Sequence, residues 1–118
     1  MEIRKYDIWL AALPRAASSR VLSGLRPVII ISGNEFPAQN PVVTAIPLTS
    51  HLDKPQEPTH ALITANENSH LACNSRAQVA HMTAVDKRLL HKRIGRVEDN
   101  FEQLSLLHAL AIHLELNT

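Results

Sequence analysis

The hydrophobic positions of this chain fall into short runs between polar loops, until a longer periodic segment begins near residue 99. Two runs, residues 25–32 and 42–48, are aliphatic without a break, which predicts strands covered on both faces. Shorter runs predict further strands at 6–13, 59–64, 77–85 and 93–97, with one helical turn at 86–90. Loops are predicted at 14–24, 33–41 and 50–58, and the length of the first indicates a mobile or functional segment.

The last segment predicts an amphipathic helix. Its apolar residues recur at three- and four-residue spacings, which places them on one helix face: Phe101, Leu104, Leu107, Leu110, Ala111 and Leu114. Asp99 followed by Glu102 matches a capping box, in which the first side chain accepts a hydrogen bond from the free N–H groups of the first turn. Strands first and one helix last predict a small, closed or strongly curved β-sheet plugged by that helix.

Composition narrows the class of protein. The 118 residues predict a single domain over 1–118, and aromatic residues make up only 3%, which argues against a protein that stacks successive bases on exposed rings. The net charge of +1 requires any nucleic-acid contact to come from a local basic patch, for which residues 87–96 are a candidate. That stretch fits a solvated face equally well. The single cysteine, Cys73, fits a reducing cytoplasm, and neither a signal peptide nor a membrane span is predicted.

Candidate chemistry gathers where the two aliphatic strands end. Arg26 stands at the mouth of the first, before Pro27, and the second strand leads into Thr49 and Ser50. A guanidinium binds phosphate oxygens through two parallel hydrogen bonds, so an arginine beside two hydroxyls is a candidate phosphate-binding site. The alternative is that the arginine forms a surface salt bridge and that the threonine lies in a turn. His51 is the nearby group that titrates around neutrality. The seven histidines are too scattered to predict a metal site, and no glycine-rich phosphate loop is present.

The order and spacing of several segments resemble the MazF/PemK toxins of bacterial toxin–antitoxin pairs. The arginine–proline strand followed by the hydroxyl-ended strand is the most specific of these similarities. The matching segments cover nearly the whole chain: residues 6–10, 25–32, 45–50, 58–60, 83–89 and 92–95.

The resemblance implies a fold, an activity and partners. The implied fold is a β-rich α+β structure, an SH3-like small β-barrel with a C-terminal amphipathic helix, assembled as a homodimer. The implied activity is endoribonuclease cleavage of single-stranded RNA at short sequences, without metal or cofactor. In that reaction the ribose 2′-hydroxyl attacks the adjacent phosphate and leaves a cyclic phosphate and a 5′-hydroxyl. Arg26 and Thr49 match the family's catalytic residues, and a cognate antitoxin, with which such toxins bind DNA, is the implied protein partner.

Two segments depart from the family pattern. Residues 19–22 lack the carboxylate that many relatives carry in the first loop, and residues 80–83 lack the usual Asp-Gln-x-Arg pattern. His51 or His81 could supply proton transfer instead. Two alternatives to the nuclease stay open, a non-enzymatic toxin that poisons a protein target and a degenerate RNA-binding or dimerisation module. Four residues are predicted to contact RNA: Arg20, Arg26, Ser50 and Lys87.

Overall fold

The computed structural model describes residues 2–34 and 40–116, so residues 35–39 of the predicted loop over 33–41 lie outside the described residues. The described part contains seven strands and one α-helix, with short 3₁₀ turns at Val79–His81 and Lys87–Leu89. The elements, in chain order, are β1 (Asp7–Leu13), β2 (Gly24–Ile30), β3 (Val42–Thr49), β4 (His60–Ile63), β5 (Ser75–Gln78), β6 (Thr83–Asp86), β7 (Leu90–Arg96) and α1 (Asn100–Leu114).

The strands form an antiparallel, barrel-like open sheet in the order β4-β5-β3-β2-β1-β7, with the helix packed against it. The long strand β3 is its centre, because β2 pairs with one edge while β6 and then β5 pair with the other. This architecture confirms the prediction of a β-rich α+β fold with a C-terminal helix.

One predicted strand is wrong. Residues 77–85 do not form a single strand, because the chain leaves β5 at Gln78, makes a 3₁₀ turn and enters β6 at Thr83. β5 pairs with the end of β3 and β6 with its beginning, so the chain must turn a corner between them. Buried Val79 anchors that corner, and its N–H donates to the carbonyl of Thr59. The corner becomes important for the site, since it also carries His81.

Two hydrophobic clusters explain the unbroken aliphatic runs. In β2, Ile29 belongs to the cluster between the sheet and the helix, whereas Val28 and Ile30 belong to the cluster on the other face. In β3, Ile46 and Val43 are divided in the same way. Successive strand residues point to opposite faces, so both faces of these strands are buried as predicted.

The helix begins as predicted but buries a different face. The Asp99 carboxylate accepts from the N–H of Glu102, yet Glu102 does not complete the capping box. Its buried carboxylate instead accepts from the N–H and the hydroxyl of Thr64, which ties the helix to the end of β4. This anchor, with buried Leu106 and Ala109, turns most of the predicted apolar face outward.

We call the outward residues Phe101, Leu104, Leu107 and Leu114 the outer stripe. Phe101 is 77% exposed and Leu104 65% exposed. The expectation that the helix plugs the sheet with this face is therefore wrong for these four residues. The periodicity identified a real apolar face, but the core is closed by the opposite side of the helix. A contiguous apolar surface of this kind typically marks a contact with another protein.

Gly95 allows the segment before β5 to lie directly against β7. A Cβ atom at this position would collide with the backbone carbonyls of Asn68 and Ser69. The N–H of Arg96 donates to the same Asn68 carbonyl, at 2.9 Å. This close approach fixes the segment that continues through Leu71 to Cys73, which forms one wall of the site described next.

Candidate active site

Arg26 is held in place by backbone carbonyls. Its Nε donates to the carbonyl of Ser23 at 2.9 Å, and its Nη1 donates to the carbonyl of Leu48 at 3.2 Å. Within residues 2–34 and 40–116, no carboxylate lies within 4.0 Å of this guanidinium. Among the described residues, the alternative of a surface salt bridge therefore does not apply to Arg26. The two hydrogen bonds fix the orientation of the guanidinium, and its positive charge is available to an anion.

Thr49 and the two residues after it lie beside Arg26. Thr49 ends β3, and its Oγ1 accepts from the N–H of His51 at 3.2 Å, which leaves its hydroxyl hydrogen free to donate. Arg26, Thr49, Ser50 and His51 line one open cavity of about 340 Å³, with Leu71, Ala72 and Cys73 on its far wall. The structure thus brings together four of the residues singled out in the sequence.

Two predicted RNA contacts lie elsewhere. Arg20 is exposed in the loop before β2 and does not line this cavity. Lys87 follows β6, whose last residue pairs with Val42 at the opposite end of β3 from Thr49. A strand of this length spans roughly 25 Å, so Lys87 is far from Arg26 within one chain. An RNA contact at either residue stays a prediction.

All three arginines of the basic stretch at 87–96 form ion pairs with carboxylates. Arg93 and Arg96 approach the buried carboxylate of Asp7 at 3.4 Å and 3.3 Å. Arg88 grips Asp86 with Nε and Nη2, and this contact lowers the pKa of Asp86 to about 2. These arginines fasten strands and turns, so the positive character of the site comes from other cations.

His81 connects the corner after β5 to the first loop. Its Nδ1 accepts from the backbone N–H of Leu22 at 3.1 Å. The pKa of His81 lies below its ordinary value because burial disfavours the charged ring, with His60 and Arg26 adding repulsion. With Nδ1 accepting, the neutral ring carries its hydrogen on Nε2. His81 lines neither this cavity nor the one described next. Its contact with Leu22 instead holds the first loop in place.

A second cavity, of about 390 Å³, adjoins the first, because Thr49 and His51 line both. Its other walls include Leu22, Arg76 and Gln78. Sequence reasoning missed Arg76, a lone charge between Ser75 and Ala77, because the predicted strand began after it. An arginine inside a run of small residues was the available signal.

Two further findings concern the described ranges alone. Nowhere in residues 2–34 and 40–116 do three histidine, cysteine, aspartate or glutamate side chains group closely enough to hold a metal ion. The same part of the chain has no helix long and apolar enough to cross a membrane.

Acidification should loosen the loop that His81 fastens. The folded-state pKa of His81 is below the 6.5 of a free histidine, so the unfolded chain binds the proton more readily. The resulting stability is complete above pH 6.5 and is lost as the pH falls through the lower, folded-state pKa. Thermal unfolding between about pH 5 and 8 measures this loss.

His81→Asn is the matched control, because the asparagine Oδ1 can accept from Leu22 and does not titrate. We expect the variant to lose less stability on acidification than the unmodified protein. Identical pH profiles for the two proteins would show that protonation of His81 does not govern the loop.

Comparison with known proteins agrees with this geometry. A family model described as the PemK-like, MazF-like toxin of type II toxin–antitoxin systems matches residues 4–113. Solved structures with the same fold include an endoribonuclease bound to its cognate antitoxin from a mycobacterial species, 19% identical, with a TM-score of 0.78 and 98% of each chain covered. The Mycobacterium tuberculosis toxin MazF-mt6 is 19% identical, with a TM-score of 0.76, covering 95% of this chain and 99% of that one.

A MazE–MazF complex from Deinococcus radiodurans is also similar, at 18% identity and a TM-score of 0.72, with 98% of each chain covered. At these identities the structural similarity establishes the fold. The family model spans nearly all of the 118 residues. The protein therefore belongs to the PemK-like, MazF-like toxins of type II toxin–antitoxin systems.

Proposed function

We propose that this toxin is an endoribonuclease that cleaves single-stranded RNA at short sequences without a metal ion, and that Arg26 and Thr49 are its catalytic residues. The observation that carries the proposal is the position of Arg26. Its guanidinium is fixed by two carbonyls, has no carboxylate partner in the described ranges, and shares a cavity with the Thr49 hydroxyl. An RNA phosphate is the anion that this pair fits.

The reaction needs groups that stabilise a crowded phosphate. The substrate's own 2′-hydroxyl attacks the adjacent phosphorus, the P–O5′ bond breaks, and the products are a 2′,3′-cyclic phosphate and a 5′-hydroxyl. Negative charge grows on the non-bridging oxygens as the new bond forms. The Arg26 guanidinium and the Thr49 hydroxyl can donate to these oxygens. Because Arg26 is already oriented by Ser23 and Leu48, little rearrangement is required in the transition state.

Proton transfer is assigned to His51 in this proposal. The attacking 2′-hydroxyl must lose a proton, and residues 19–22 supply no carboxylate to accept it. The departing O5′ gains a proton from water, which the open cavity admits. His51 lines the cavity beside Thr49, whereas the Nδ1 of His81 is already occupied by Leu22. The structure therefore favours His51 over His81 as the base.

Two relatives were solved with their antitoxins, which supports a protein inhibitor for this chain as well. We propose that an acidic segment of a cognate antitoxin covers the cavity and pairs with Arg26. The segment then competes with RNA for the same charge.

The exposed, unpaired thiol of Cys73 at the cavity wall fits a toxin that acts in the reducing cytoplasm.

The outer stripe supports the proposal that the toxin is a homodimer. Four large apolar side chains on one helix face are left in contact with water by a single chain. A second copy related by a two-fold axis would cover them with the same stripe, as symmetric dimers do.

Leu104→Glu should convert the dimer to a monomer, because a carboxylate in a self-paired apolar contact meets its own copy. Light scattering during size-exclusion chromatography measures the mass. His113→Glu, on the exposed helix end and off the stripe, is the matched control and should stay dimeric. A monomeric unmodified protein whose antitoxin binding is lost in Leu104→Glu would assign the stripe to the antitoxin instead.

Substitutions at the cavity test the catalytic assignment. In single-turnover cleavage with a chelator present, Arg26→Ala should abolish detectable cleavage. Thr49→Ala should slow it by about 10²–10³-fold, the usual cost of one transition-state donor. Rates must be compared well below the unfolding temperature, because Arg26→Ala also removes two backbone contacts. Arg88→Ala, in the turn after β6 and remote from Thr49, is the control and should keep the normal rate.

Cleavage by Arg26→Ala at the normal rate would show that the active site lies elsewhere. An unmodified protein that arrests growth but cleaves no RNA of mixed sequence would favour the toxin that poisons a protein target. Loss of both properties in the unmodified protein would favour the degenerate module.

A further inference from the structure

Arg76 is a buried cation without a counter-ion in the described ranges. Only 6% of the residue is exposed, and its Nη1 donates to the carbonyl of Lys54 at 2.9 Å. Its Nε is buried and has no hydrogen-bond acceptor among the residues that the structure describes. No carboxylate among residues 2–34 and 40–116 lies within 4.0 Å of it. A buried charge that lacks a partner is costly, so its retention in a native structure calls for an explanation such as a ligand.

The sheet register places Arg76 beside the catalytic pair. In the antiparallel pairing of β3 with β5, Arg76 lies directly opposite Thr49. Directly opposite residues project from the same side of a sheet, with Cβ atoms about 5 Å apart. Both residues line the second cavity, which adjoins the cavity of Arg26 at Thr49. Arg76 therefore lies within reach of the nucleotide adjacent to a phosphate that is bound against Thr49.

The contacts of Arg76 leave the edge of its guanidinium that suits a phosphate without a hydrogen-bond acceptor in the described ranges. Nε and Nη2 form that two-donor edge, which is how Arg88 holds both oxygens of Asp86. In Arg76, the carbonyl of Lys54 takes only Nη1, on the other side of the group. The bound carbonyl fixes the plane of the guanidinium and leaves Nε without an acceptor in the described ranges, so an anion bound in the second cavity would complete the hydrogen bonding of the group.

The walls of the second cavity favour a nucleotide over an acidic peptide. Beside Arg76 they carry the carboxylate residues Asp53 and Glu57 and the amide of Gln78. The carboxylates repel a phosphate and a peptide carboxylate alike, but an acidic peptide side chain offers them no hydrogen-bond donor. A nucleotide offers a phosphate for the arginine together with base N–H groups for the carboxylates and the amide. The volume, about 390 Å³, lies within the range of pockets that hold small ligands.

We propose that Arg76 binds the phosphate of the nucleotide next to the cleavage point, and that the base of this nucleotide occupies the second cavity. The inference rests on the proposed nuclease function. It makes Arg76 a substrate-binding residue that determines how the RNA is positioned over Arg26 and Thr49. The adjoining cavity then contributes to the choice of cleavage sequence.

Binding of a non-cleavable RNA tests this proposal. The probe is a fluorescent, mixed-sequence, single-stranded RNA with 2′-O-methyl groups throughout, followed by anisotropy at several salt concentrations. Arg76→Met preserves the volume of the side chain and removes the charge. We expect its affinity to fall about 10- to 100-fold, and the slope of log K against log salt to lose about 0.7, the value for one phosphate contact on a single strand. Arg88→Met, which removes an arginine already paired with Asp86, should change neither quantity.

The thermal stability of Arg76→Met separates binding from folding. Because an unpaired buried charge is removed, its Tm should be unchanged or higher. Arg76→Lys, which keeps the charge without the two-donor edge, should keep the salt slope and lose part of the affinity. An unchanged affinity, or a weaker affinity with the full salt slope, in Arg76→Met would overturn the phosphate contact. If the unmodified protein bound no RNA at all, the nuclease proposal itself would fail.

A measurement on the unmodified protein covers the case in which Arg76→Met does not fold. The arginine Nε–H signals, assigned by nuclear magnetic resonance, report the partner of each guanidinium. The Arg76 Nε–H signal should move on addition of the 2′-O-methyl RNA. A signal that ignores RNA but moves with an acidic antitoxin peptide would overturn the proposal and assign Arg76 to the protein partner.

Discussion

The hydrogen bond from Arg26 to the carbonyl of Leu48 joins the two strands on which the whole site depends. Leu48 precedes Thr49 at the end of β3, so the bond that orients the cation also constrains its distance from the Thr49 hydroxyl. The second bond, to Ser23, ties the same guanidinium to the end of the first loop. His81 fastens that loop at Leu22, one residue earlier. Arg26 thus links a strand end to the first loop, and His81 links the same loop to the corner after β5.

The positive charge of the cavity depends on which cations lack a carboxylate partner in the described ranges, more than on the total number of charges in the chain. The chain carries 12 basic and 11 acidic residues, so no large positive field surrounds it. Asp7 and Asp86 are committed to Arg93, Arg96 and Arg88. Arg26 and Arg76 are held by carbonyls, which orient a guanidinium without cancelling its charge. These two cations have no carboxylate partner within residues 2–34 and 40–116 and lie on either side of Thr49, which supports the proposal that they bind an RNA backbone more specifically than a broad basic surface would.

Sequence reasoning succeeded where the structure is governed by local pattern. Unbroken aliphatic runs identified β2 and β3, because both strands are covered on both faces. The strand ends then predicted that Arg26 would meet Thr49, Ser50 and His51 in one cavity, as the structure places them. The helix start at Asp99 followed from the preference of its first turn for a capping carboxylate.

The errors arose where packing between segments far apart in the chain determines the structure. Helical periodicity finds an apolar face but does not say which side meets the core, and the Glu102 contact with Thr64 turned the outer stripe away from it. The strand predicted over 77–85 broke because β3 receives two partners along one edge. Arg76 was missed because its meaning comes from the opposing Thr49, a pairing between segments far apart in the chain.

The chemical ends of the RNA products test the central claim most directly. The unmodified protein, freed of antitoxin and kept in a chelator, is incubated with a long single-stranded RNA, and the fragment ends are determined by mass spectrometry. Attack by the 2′-hydroxyl in the Arg26–Thr49 cavity predicts a 2′,3′-cyclic phosphate on one fragment and a 5′-hydroxyl on the next. Fragments ending in a 3′-hydroxyl and a 5′-phosphate, or cleavage that appears only after a divalent ion is restored, would contradict it.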